Sequence, residues 1–284
     1  MKLITWNTQW CCGLDGVVSP ERIVDGAREL ADFDVLCLQE ISLGFDRLQG
    51  APGDQPAQIA ALLPGFQVFF GAAVDEYQRD GKRQRFGNLI ATRLPVARVQ
   101  HHALPWPAAD GVRSMPRICA VATVLSPQLG AVRVMTTHLE YYSALQRLAQ
   151  ARALRALHDE ACAMAAAPPE PADDGSPFQT KVHTPHALLC GDFNAEASDA
   201  AIAALVSPGG SNDGAHVFHN AWSVVHGSTP HAPTFRLIDR SHGPDPMACD
   251  FVFVSGGLAA RVRRIEVDLK TRASDHQPVL VELR

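Results

Sequence analysis

Short apolar runs alternate with polar segments along the chain, and several runs end in an acidic, amide or imidazole side chain. The run at residues 2–7 predicts a first strand, and the nearly all-apolar run at residues 34–40 predicts a strand buried on both faces. A third run, residues 187–189, leads into the sequence Gly-Asp-Phe-Asn at residues 191–194. The acid and the amide of that tetrapeptide would leave the backbone on the same side, at the end of a buried strand.

The remaining pattern predicts a chain that mixes strands and helices. Further strands are expected at residues 66–70, 86–92, 96–102, 117–125, 131–138, 249–254, 261–269 and 279–283. Helices are expected to begin at Ser19-Pro20-Glu21 and to occur within residues 51–65, at residues 143–167 and at residues 198–206. The apolar positions of the third are Leu145, Leu148, Ala149, Leu154 and Leu157. Proline-rich residues 168–186 predict a mobile loop, and residues 207–248, rich in Gly, Pro and His, predict irregular structure.

Side chains with chemical potential lie at the ends of five predicted segments. They are Asn7, Glu40, His138, Asp192 with Asn194, and Asp275 with His276. Because α/β enzymes assemble their sites at the ends of packed strands, we expect these groups to meet. An acid there can orient or deprotonate a water, and an amide can donate to a phosphoryl oxygen. The alternative is that Gly-Asp and Asn are ordinary turn residues.

Composition and charge narrow the functional classes. The chain has 284 residues, of which 46% are hydrophobic and 19% charged, and we expect one domain over residues 1–284. A net charge of −5 argues against a broad basic surface for duplex nucleic acid, so local basic groups or a metal would hold a polyanionic substrate.

Seven cysteines without a C-x-x-C pair and the lack of an apolar run near ~20 residues predict a soluble, cytoplasmic protein with reduced thiols. Cys11 and Cys12 are expected to be the more exposed thiols.

The ordered motifs resemble those of the endonuclease/exonuclease/phosphatase superfamily, which includes DNase I-like nucleases, inositol polyphosphate 5-phosphatases, deadenylases and neutral sphingomyelinases. The resemblance covers essentially the whole chain. The matching segments are Thr5-Trp6-Asn7, Leu38-Gln39-Glu40, Phe86-Gly87-Asn88, Arg93-Leu94-Pro95, Arg117, Thr137-His138-Leu139, Gly191-Asp192-Phe193-Asn194, Asp250-Phe251-Val252-Phe253-Val254-Ser255 and Ser274-Asp275-His276-Gln277-Pro278.

This resemblance implies a fold and a metal-dependent reaction. The implied fold is a four-layer α/β sandwich, in which two mixed sheets pack face to face with helices outside. The implied reaction is hydrolysis of a phosphoester with Mg²⁺ or Mn²⁺. Glu40 would be the main metal carboxylate, assisted by Asn7 and Asp275, which agrees with the small number of protein carboxylates that Mg²⁺ takes. Arg117 would bind a substrate phosphate, unless it is only a surface residue at the head of a strand.

The resemblance also implies roles for the other polar residues. Asp192 would orient or activate the attacking water, and Asn194 would hold the scissile phosphate. His276, paired with Asp250, would stabilise the charge that develops on the phosphorus oxygens. His138 would bind a phosphate oxygen or protonate the leaving oxygen. The division of acid and base roles among these groups stays open.

Two functional classes remain. A phosphodiesterase or nuclease is favoured, a phosphomonoesterase acting on a small phosphorylated metabolite is the alternative, and a non-catalytic binding module is disfavoured because no acid or imidazole of the set is missing. A monomer is expected. The mixed-charge residues 77–85 are either a solvated hairpin or a loop that touches a phosphate. Four aromatic residues are candidate walls for a planar leaving group: Trp10, Tyr141, Tyr142 and Trp222.

Overall fold

The computed structural model of the chain describes residues 1–207 and 217–284. Its strands are β1 (Lys2–Asn7), β2 (Val35–Leu43), β3 (Gln67–Tyr77), β4 (Arg83–Thr92), β5 (Val96–Ala103), β6 (Ile118–Ser126), β7 (Gly130–His138), β8 (Ala187–Asp192), β9 (Phe218–Asn220), β10 (Asp250–Ser255), β11 (Val262–Val267) and β12 (Val279–Leu283). Its helices are α1 (Pro20–Leu30), α2 (Gln55–Leu62), α3 (Ala144–Ala166), α4 (Ala200–Val206), α5 (Ala221–His226) and α6 (Gly256–Ala259). None of these helices combines the length and the apolar character needed to cross a bilayer.

The strands form two six-stranded sheets with the same plan. Their orders are β11-β12-β1-β2-β4-β3 and β5-β6-β7-β8-β10-β9. Each sheet is antiparallel toward both edges and has a parallel pair at its centre, β1 with β2 in the first and β7 with β8 in the second. Since parallel strands end at the same edge, Asn7 lies beside Gln39 and His138 lies beside Asp192. Each sheet therefore presents two adjacent polar strand ends.

Alternation along the central strands builds a core in three parts. Leu3 of β1 and Leu188 of β8 belong to the cluster between the two sheets. The next residue on each strand points outward: Ile4 packs with α1, and Leu189 packs with residues of α3 and α4. Because both faces of these strands are covered, apolar residues occupy consecutive positions in them, such as Leu3-Ile4 and Leu188-Leu189, rather than alternate positions. The result is the expected sandwich of two mixed sheets with helices on the outer faces.

The main helix starts occur where the sequence predicts them. Ser19 caps α1 by accepting a hydrogen bond from the Arg22 backbone N–H at 3.2 Å, and Pro20 fills the first helical position. Ser143 caps α3 in the same way through Gln146, also at 3.2 Å. Short polar side chains therefore set the beginnings of both helices.

The buried face of α3 differs from the predicted one. Of the five predicted apolar positions, Leu154 is fully buried, whereas 59% of Leu145 is exposed. The helix instead buries a polar stripe: Gln146, Gln150, Arg155 and His158. These long side chains bond to neighbouring loops and strands rather than only filling space, so a count of apolar residues misplaces the face.

Other expectations can be compared directly with the structure. Residues 168–186 contain no helix or strand. Within residues 207–248 the expectation of irregular structure is wrong at β9 and α5, while residues 208–216 lie outside the described residues. Residues 77–85 form the turn and start of the β3–β4 hairpin. All seven cysteines are free and buried, so the expected exposure of Cys11 and Cys12 is wrong.

Candidate active site

The polar ends of the two central strand pairs meet across the sandwich. The Asn7 amide lies between two carboxylates, because its Nδ2 donates to Glu40 Oε1 at 3.1 Å and to Asp192 Oδ2 at 2.9 Å. His138 faces the same two acids, with Nδ1 at 3.9 Å from Glu40 Oε1 and Nε2 at 3.5 Å from Asp192 Oδ2. Residues from four strands and both sheets thus surround one point.

Gly191 lets β8 approach β7 closely enough to form this arrangement. It pairs with Thr137 in the parallel ladder and has a φ of +135°. A Cβ at this position would lie 1.9 Å from the Thr137 carbonyl oxygen, so a larger residue would force the strands apart. The close contact brings Asp192 level with His138.

Glu40 lies at an irregularity inside β2 rather than at its end. The pairing of β2 with β4 shifts between Leu38 and Ile41, and Glu40 has a φ of +61°. That left-handed conformation is costly for a residue with a side chain and is found at functional positions more often than elsewhere. It turns the carboxylate toward Asn7 while the strand continues to Leu43, so the predicted strand end at Glu40 is wrong although the placement of the acid is not.

Asp192 is held almost completely out of solvent. Only 1% of the residue is exposed, and its Oδ1 accepts from the Asn194 backbone N–H at 2.8 Å. The Asn194 side chain turns back to donate to the Leu139 carbonyl at 2.9 Å and lies 3.0 Å from His138 Nε2. Because that amide nitrogen is a donor, His138 Nε2 acts as the acceptor and carries no proton.

His276 and Asp250 form a buried pair on the other side of Asp192. His276 Nδ1 donates to Asp250 Oδ2 at 2.8 Å, which leaves Nε2 pointing at Asp192 Oδ2, 3.8 Å away. The imidazole stacks on the Phe235 ring with centroids 4.4 Å apart. Asp250 is fixed in turn by its backbone N–H, which donates to Thr234 Oγ1 at 3.1 Å. These contacts determine both the tautomer and the orientation of His276.

Arg117 lies behind His138 and is buried. It is 6% exposed, and its Nε donates to Glu140 Oε2 at 3.2 Å, while its Nη1 has no hydrogen-bond partner among the described residues. Arg117 and His138 both line one small cavity that also reaches Asn88. The guanidinium is therefore an ion-paired group next to the site, and not the surface residue that the sequence left as an alternative.

Burial and neighbouring charges shift the titration of the acidic groups. Burial, followed by the negative charge of Asp275, raises the pKa of Glu40 to about 7. Burial likewise raises the pKa of Asp192 to about 6, although the nearby His276 acts in the opposite direction. Both acids therefore hold protons more tightly than free carboxyl groups, as expected for acids that share a pocket.

The two histidines respond in opposite ways. Burial, and then the positive charge of Arg117, lower the pKa of His138 well below its ordinary value. Burial also opposes protonation of His276, but the charges of Asp250 and Asp192 outweigh it and raise its pKa well above the ordinary value. At neutral pH the site consequently contains one neutral imidazole, His138, and one imidazolium, His276.

The donor set at the mouth of the site fits a divalent cation. Glu40 retains 20% side-chain exposure, and the adjacent negative charge of Asp275 raises its pKa, a conflict that a bound cation would relieve. The carboxylate oxygens of Glu40 and Asp275 are the hard ligands that Mg²⁺ and Mn²⁺ accept. Asn7 instead presents its amide nitrogen to the acids, and its Oδ1 accepts from the Gln9 backbone N–H at 3.2 Å, so the expected metal contact of Asn7 requires its amide to turn.

A second cluster also satisfies the distance requirement for a metal. Ligand atoms of Asp192, Cys249, Asp250 and His276 lie within 4.8 Å of one another. The bond between His276 and Asp250 already occupies two of these groups, and burial raises the pKa of the Cys249 thiol well above its ordinary value, so it stays protonated. We therefore interpret this cluster as a hydrogen-bonded network.

All nine residues proposed from the sequence lie in this region, although not in equivalent surroundings. Eight of them surround the pocket: Asn7, Glu40, His138, Asp192, Asn194, Asp250, Asp275 and His276. The ninth, Arg117, reaches it only through the cavity behind His138. Sequence reasoning did not assign roles to Ser274, Thr234, Phe235 or Glu140.

The missed residues support the others and had only weak sequence signals. Ser274 Oγ donates to the Asn7 carbonyl at 2.8 Å and so ties the loop carrying His276 to β1. Thr234 and Phe235 lie in a segment without apolar periodicity, and only their contacts with Asp250 and His276 show their importance. Glu140 directly follows the segment Thr137-His138-Leu139, and Ser274 begins the segment that carries His276, so only the positions of these two residues next to matching motifs could have indicated them.

This fold and site identify the family. The sequence profile of the Endonuclease/Exonuclease/phosphatase family matches residues 4–276, and the chain belongs to that family. Its members are generally metal-dependent phosphoester hydrolases. A search of curated protein sequences gives no match.

Solved structures agree in fold. An endonuclease/exonuclease/phosphatase protein from Beutenbergia cavernae is 25% identical, with a TM-score of 0.70, and the match covers 100% of this chain and 71% of that one. A mannosyl-6-phosphatase from Bacteroides thetaiotaomicron is 19% identical with a TM-score of 0.70 and coverage of 100% and 99%. The human Nocturnin catalytic domain, solved with bound sulfate, is 18% identical with a TM-score of 0.62 and coverage of 99% and 92%.

Proposed function

We propose that the protein is a Mg²⁺-dependent phosphodiesterase that cleaves a nucleotide-like diester. The observation that supports this most directly is the Asn7 amide bridging Glu40 and Asp192 from opposite sheets. It separates an acid at the mouth of the pocket from an acid deep inside it. Two carboxylates in different surroundings can take different roles, one toward a cation and one toward a proton.

Glu40 and Asp275 would hold the cation, and the Asn7 amide, which donates to both Glu40 and Asp192, would orient the two acids. When bound, it would neutralise charge on the phosphate oxygens and polarise the phosphorus for attack. The oxygen ligands and the limited exposure of Glu40 favour Mg²⁺ or Mn²⁺ over a softer metal.

Asp192 would take the proton of the attacking water. Its raised pKa, about 6, is suitable for proton transfer near neutral pH, and the Asn7 and Asn194 contacts fix both carboxylate oxygens. Asn194 sits at the same mouth and would donate to a phosphate oxygen once His138 or the Leu139 carbonyl releases it.

His276 would stabilise the negative charge that develops during attack. The Asp250 contact keeps it protonated, and its Nε2 points into the pocket toward Asp192. His138 is neutral and would accept or donate one hydrogen bond to the substrate, while the buried Arg117 would supply positive potential from behind it.

The charge balance favours a diester over a monoester. A monoester dianion carries one more negative charge than a diester, and Arg117, the guanidinium beside His138, already pairs with Glu140. A diester monoanion would need less compensation in a pocket that also contains Glu40, Asp192 and Asp250.

The proposal can be tested with a panel of substrates. Purified protein should hydrolyse bis-(p-nitrophenyl) phosphate and single-stranded or apurinic DNA in Mg²⁺, with little activity on p-nitrophenyl phosphate, and EDTA should abolish turnover. Activity confined to the monoester would overturn the diesterase assignment in favour of the phosphomonoesterase. Absence of turnover on all substrates with Mg²⁺ and Mn²⁺ would support a binding module.

A further inference from the structure

Two exposed tyrosines next to the candidate active site have no evident role in stabilising the fold. Tyr141 and Tyr142 follow β7 three and four residues after His138, and they are 40% and 56% exposed. Their rings pack edge to face with centroids 4.8 Å apart. The Arg113 guanidinium carbon lies 6.0 Å from the Tyr142 ring centroid. We call Arg113, Tyr141 and Tyr142 the tyrosine platform.

The backbone of the platform is held in place by buried polar groups. Glu140, which is fully buried, accepts from the Tyr142 backbone N–H at 3.0 Å through Oε1. Its other oxygen accepts from Arg117 Nε at 3.2 Å and faces the Met115 backbone N–H at 3.5 Å. The Glu140 carboxylate therefore connects the loop of Tyr141 and Tyr142, the segment that carries Arg113, and the cavity that Arg117 and His138 line.

The first turns of α3 add a second set of restraints. Arg147 Nη1 donates to the Tyr141 carbonyl at 3.1 Å. Gln146 Nε2 donates to the Pro107 carbonyl at 2.7 Å, and Gln150 Nε2 donates to the Pro105 carbonyl at 3.2 Å. Arg147 thus anchors the loop of the two tyrosines, and Gln146 and Gln150 of the polar stripe anchor the segment that leads to Arg113. Ordering these loops costs conformational entropy, yet both tyrosines remain exposed.

The other candidate aromatic residues do not form such a surface. Trp222 is only 9% exposed and packs between His226 and His231. Trp10 is half-buried, and its indole N–H donates to the Gln49 carbonyl on the side of the first sheet. Of the four aromatics named from the sequence, only the tyrosine pair combines exposed rings with a hydrogen-bonded link, through Glu140 and Arg117, to the His138 cavity.

We propose that the tyrosine platform is a specificity subsite that stacks a nucleobase of the substrate beside the scissile phosphate. Aromatic faces bind any base by stacking, and an adjacent arginine adds attraction for a ring and for a neighbouring phosphate. An aliphatic lipid chain would not use the Arg113 side of the surface. This inference rests on the proposed diesterase function, because the stacked base must belong to the ester that is cleaved.

A comparison of two dinucleotides tests the subsite. Dithymidine phosphate should be cleaved on the order of 10-fold more efficiently than the same diester with both thymines replaced by hydrogen. In Tyr142→Leu and Tyr141→Leu this preference should fall toward one through a higher KM for dithymidine phosphate, with kcat little changed. Tyr142→Phe should keep the preference, since stacking needs the ring and not the hydroxyl. Products are quantified by mass spectrometry.

A matched control distinguishes the loss of a platform ring from the loss of an exposed aromatic ring elsewhere on the surface. Phe178 is 88% exposed in the segment that precedes β8, at the opposite end of that strand from Asp192. Phe178→Leu should therefore leave the cleavage efficiency of both diesters unchanged. A preference that survives both tyrosine-to-leucine changes, or an equal loss for both diesters, would overturn the subsite while leaving the diesterase function intact.

Failure of the diesterase function gives a different result. In that case the wild-type protein with Mg²⁺ cleaves neither dinucleotide. Equilibrium binding of thymidine 5′-monophosphate then decides the platform on its own: a Kd about 10-fold weaker in Tyr142→Leu than in Phe178→Leu supports it, and equal Kd values reject it.

Discussion

Asp192 is the residue on which the proposed chemistry depends most directly, because it is the buried acid that both Asn7 and the Asn194 backbone orient. Asp192→Asn removes the proton acceptor while conserving shape, so we expect kcat to fall by about 10²–10⁴-fold. Steady-state kinetics with bis-(p-nitrophenyl) phosphate measure this, and circular dichroism checks the fold. Asp174→Asn, an exposed change in the segment before β8, is the control. Undiminished kcat in Asp192→Asn would remove the residue from the mechanism.

Glu40 leads to a prediction about pH and metal. Its pKa of about 7 in the free protein lies above the ordinary carboxyl value of 4.5, so the bound proton stabilises the folded state, and this stabilisation is lost as the pH rises from about 4.5 to about 7. A cation must displace the same proton. The increase in Tm caused by Mg²⁺ should therefore be larger at pH 8 than at pH 5.5.

Differential scanning fluorimetry with and without 5 mM EDTA, over about four pH values, measures this dependence. In Glu40→Gln both the Mg²⁺ shift and its pH dependence should largely disappear. A Mg²⁺ shift of equal size at every pH, or one that persists in Glu40→Gln, would place the cation elsewhere.

The sequence predicted that Glu40 belongs to the site, but it did not predict the irregular backbone of β2 at this residue. Leu36 and Leu38 face the helices, and Ile41 does so as well. The spacing along this face thus changes from two residues to three at Glu40, which is the pattern of an inserted residue in a strand. That signal was present in the sequence, but the apolar run gave no reason to continue the strand past an acid.

At the scale of elements, the contact between β7 and β8 is the most demanding. Gly191→Ala would place a Cβ 1.9 Å from the Thr137 carbonyl oxygen, so we expect the free energy of unfolding to fall by about 3 kcal/mol or more. Urea denaturation measures this loss. Gly130→Ala is the matched control, because its φ is +72° and no atom lies within 4 Å of the added carbon, so it should cost only about 1–2 kcal/mol.

Equal losses in the two glycine variants would show that the close approach of the strands does not limit stability. The greater loss expected for Gly191→Ala should also reduce activity, because Asp192 follows directly on the same strand.

The elements were predictable to different degrees for physical reasons. β1 and β12 have the predicted bounds because they are short apolar runs with clear polar limits. The buried face of α3 was not predictable from apolar periodicity, since it depends on partners such as the Glu140 backbone and the Pro105 carbonyl, which only the fold brings near Gln150. The position of a helix along the chain depends on local sequence, whereas the face that it buries depends on tertiary contacts.

At the scale of the whole molecule, the site exists only when the two sheets are held at the correct separation. Gln39 is fully buried and joins them, because its Nε2 donates to Thr5 Oγ1 at 3.1 Å in one sheet and to Thr136 Oγ1 at 2.8 Å in the other. Gln39→Leu would leave both hydroxyls without this partner, and we expect a loss of about 1–3 kcal/mol in the free energy of unfolding.

The same change should lower kcat/KM, because Glu40 belongs to one sheet and Asp192 to the other. Urea denaturation and steady-state kinetics measure the two effects. Stability reduced with kcat/KM unchanged would show that other contacts across the interface set the separation of the sheets. The meeting of the two acids was predicted from the polar strand ends and from the family resemblance. Gln39 lies within the matching segment Leu38-Gln39-Glu40, but nothing in the sequence assigned it a role in bridging the sheets.

The left-handed backbone at Glu40 has a consequence for engineering. Glycine would adopt that conformation without strain, and it would also remove a carboxyl group that is costly to ionise there. Glu40→Gly should therefore have a higher Tm than the wild-type protein but no catalytic activity. Directed evolution for heat resistance alone would therefore enrich such inactive variants. Selection of this scaffold must therefore reward catalysis in every round.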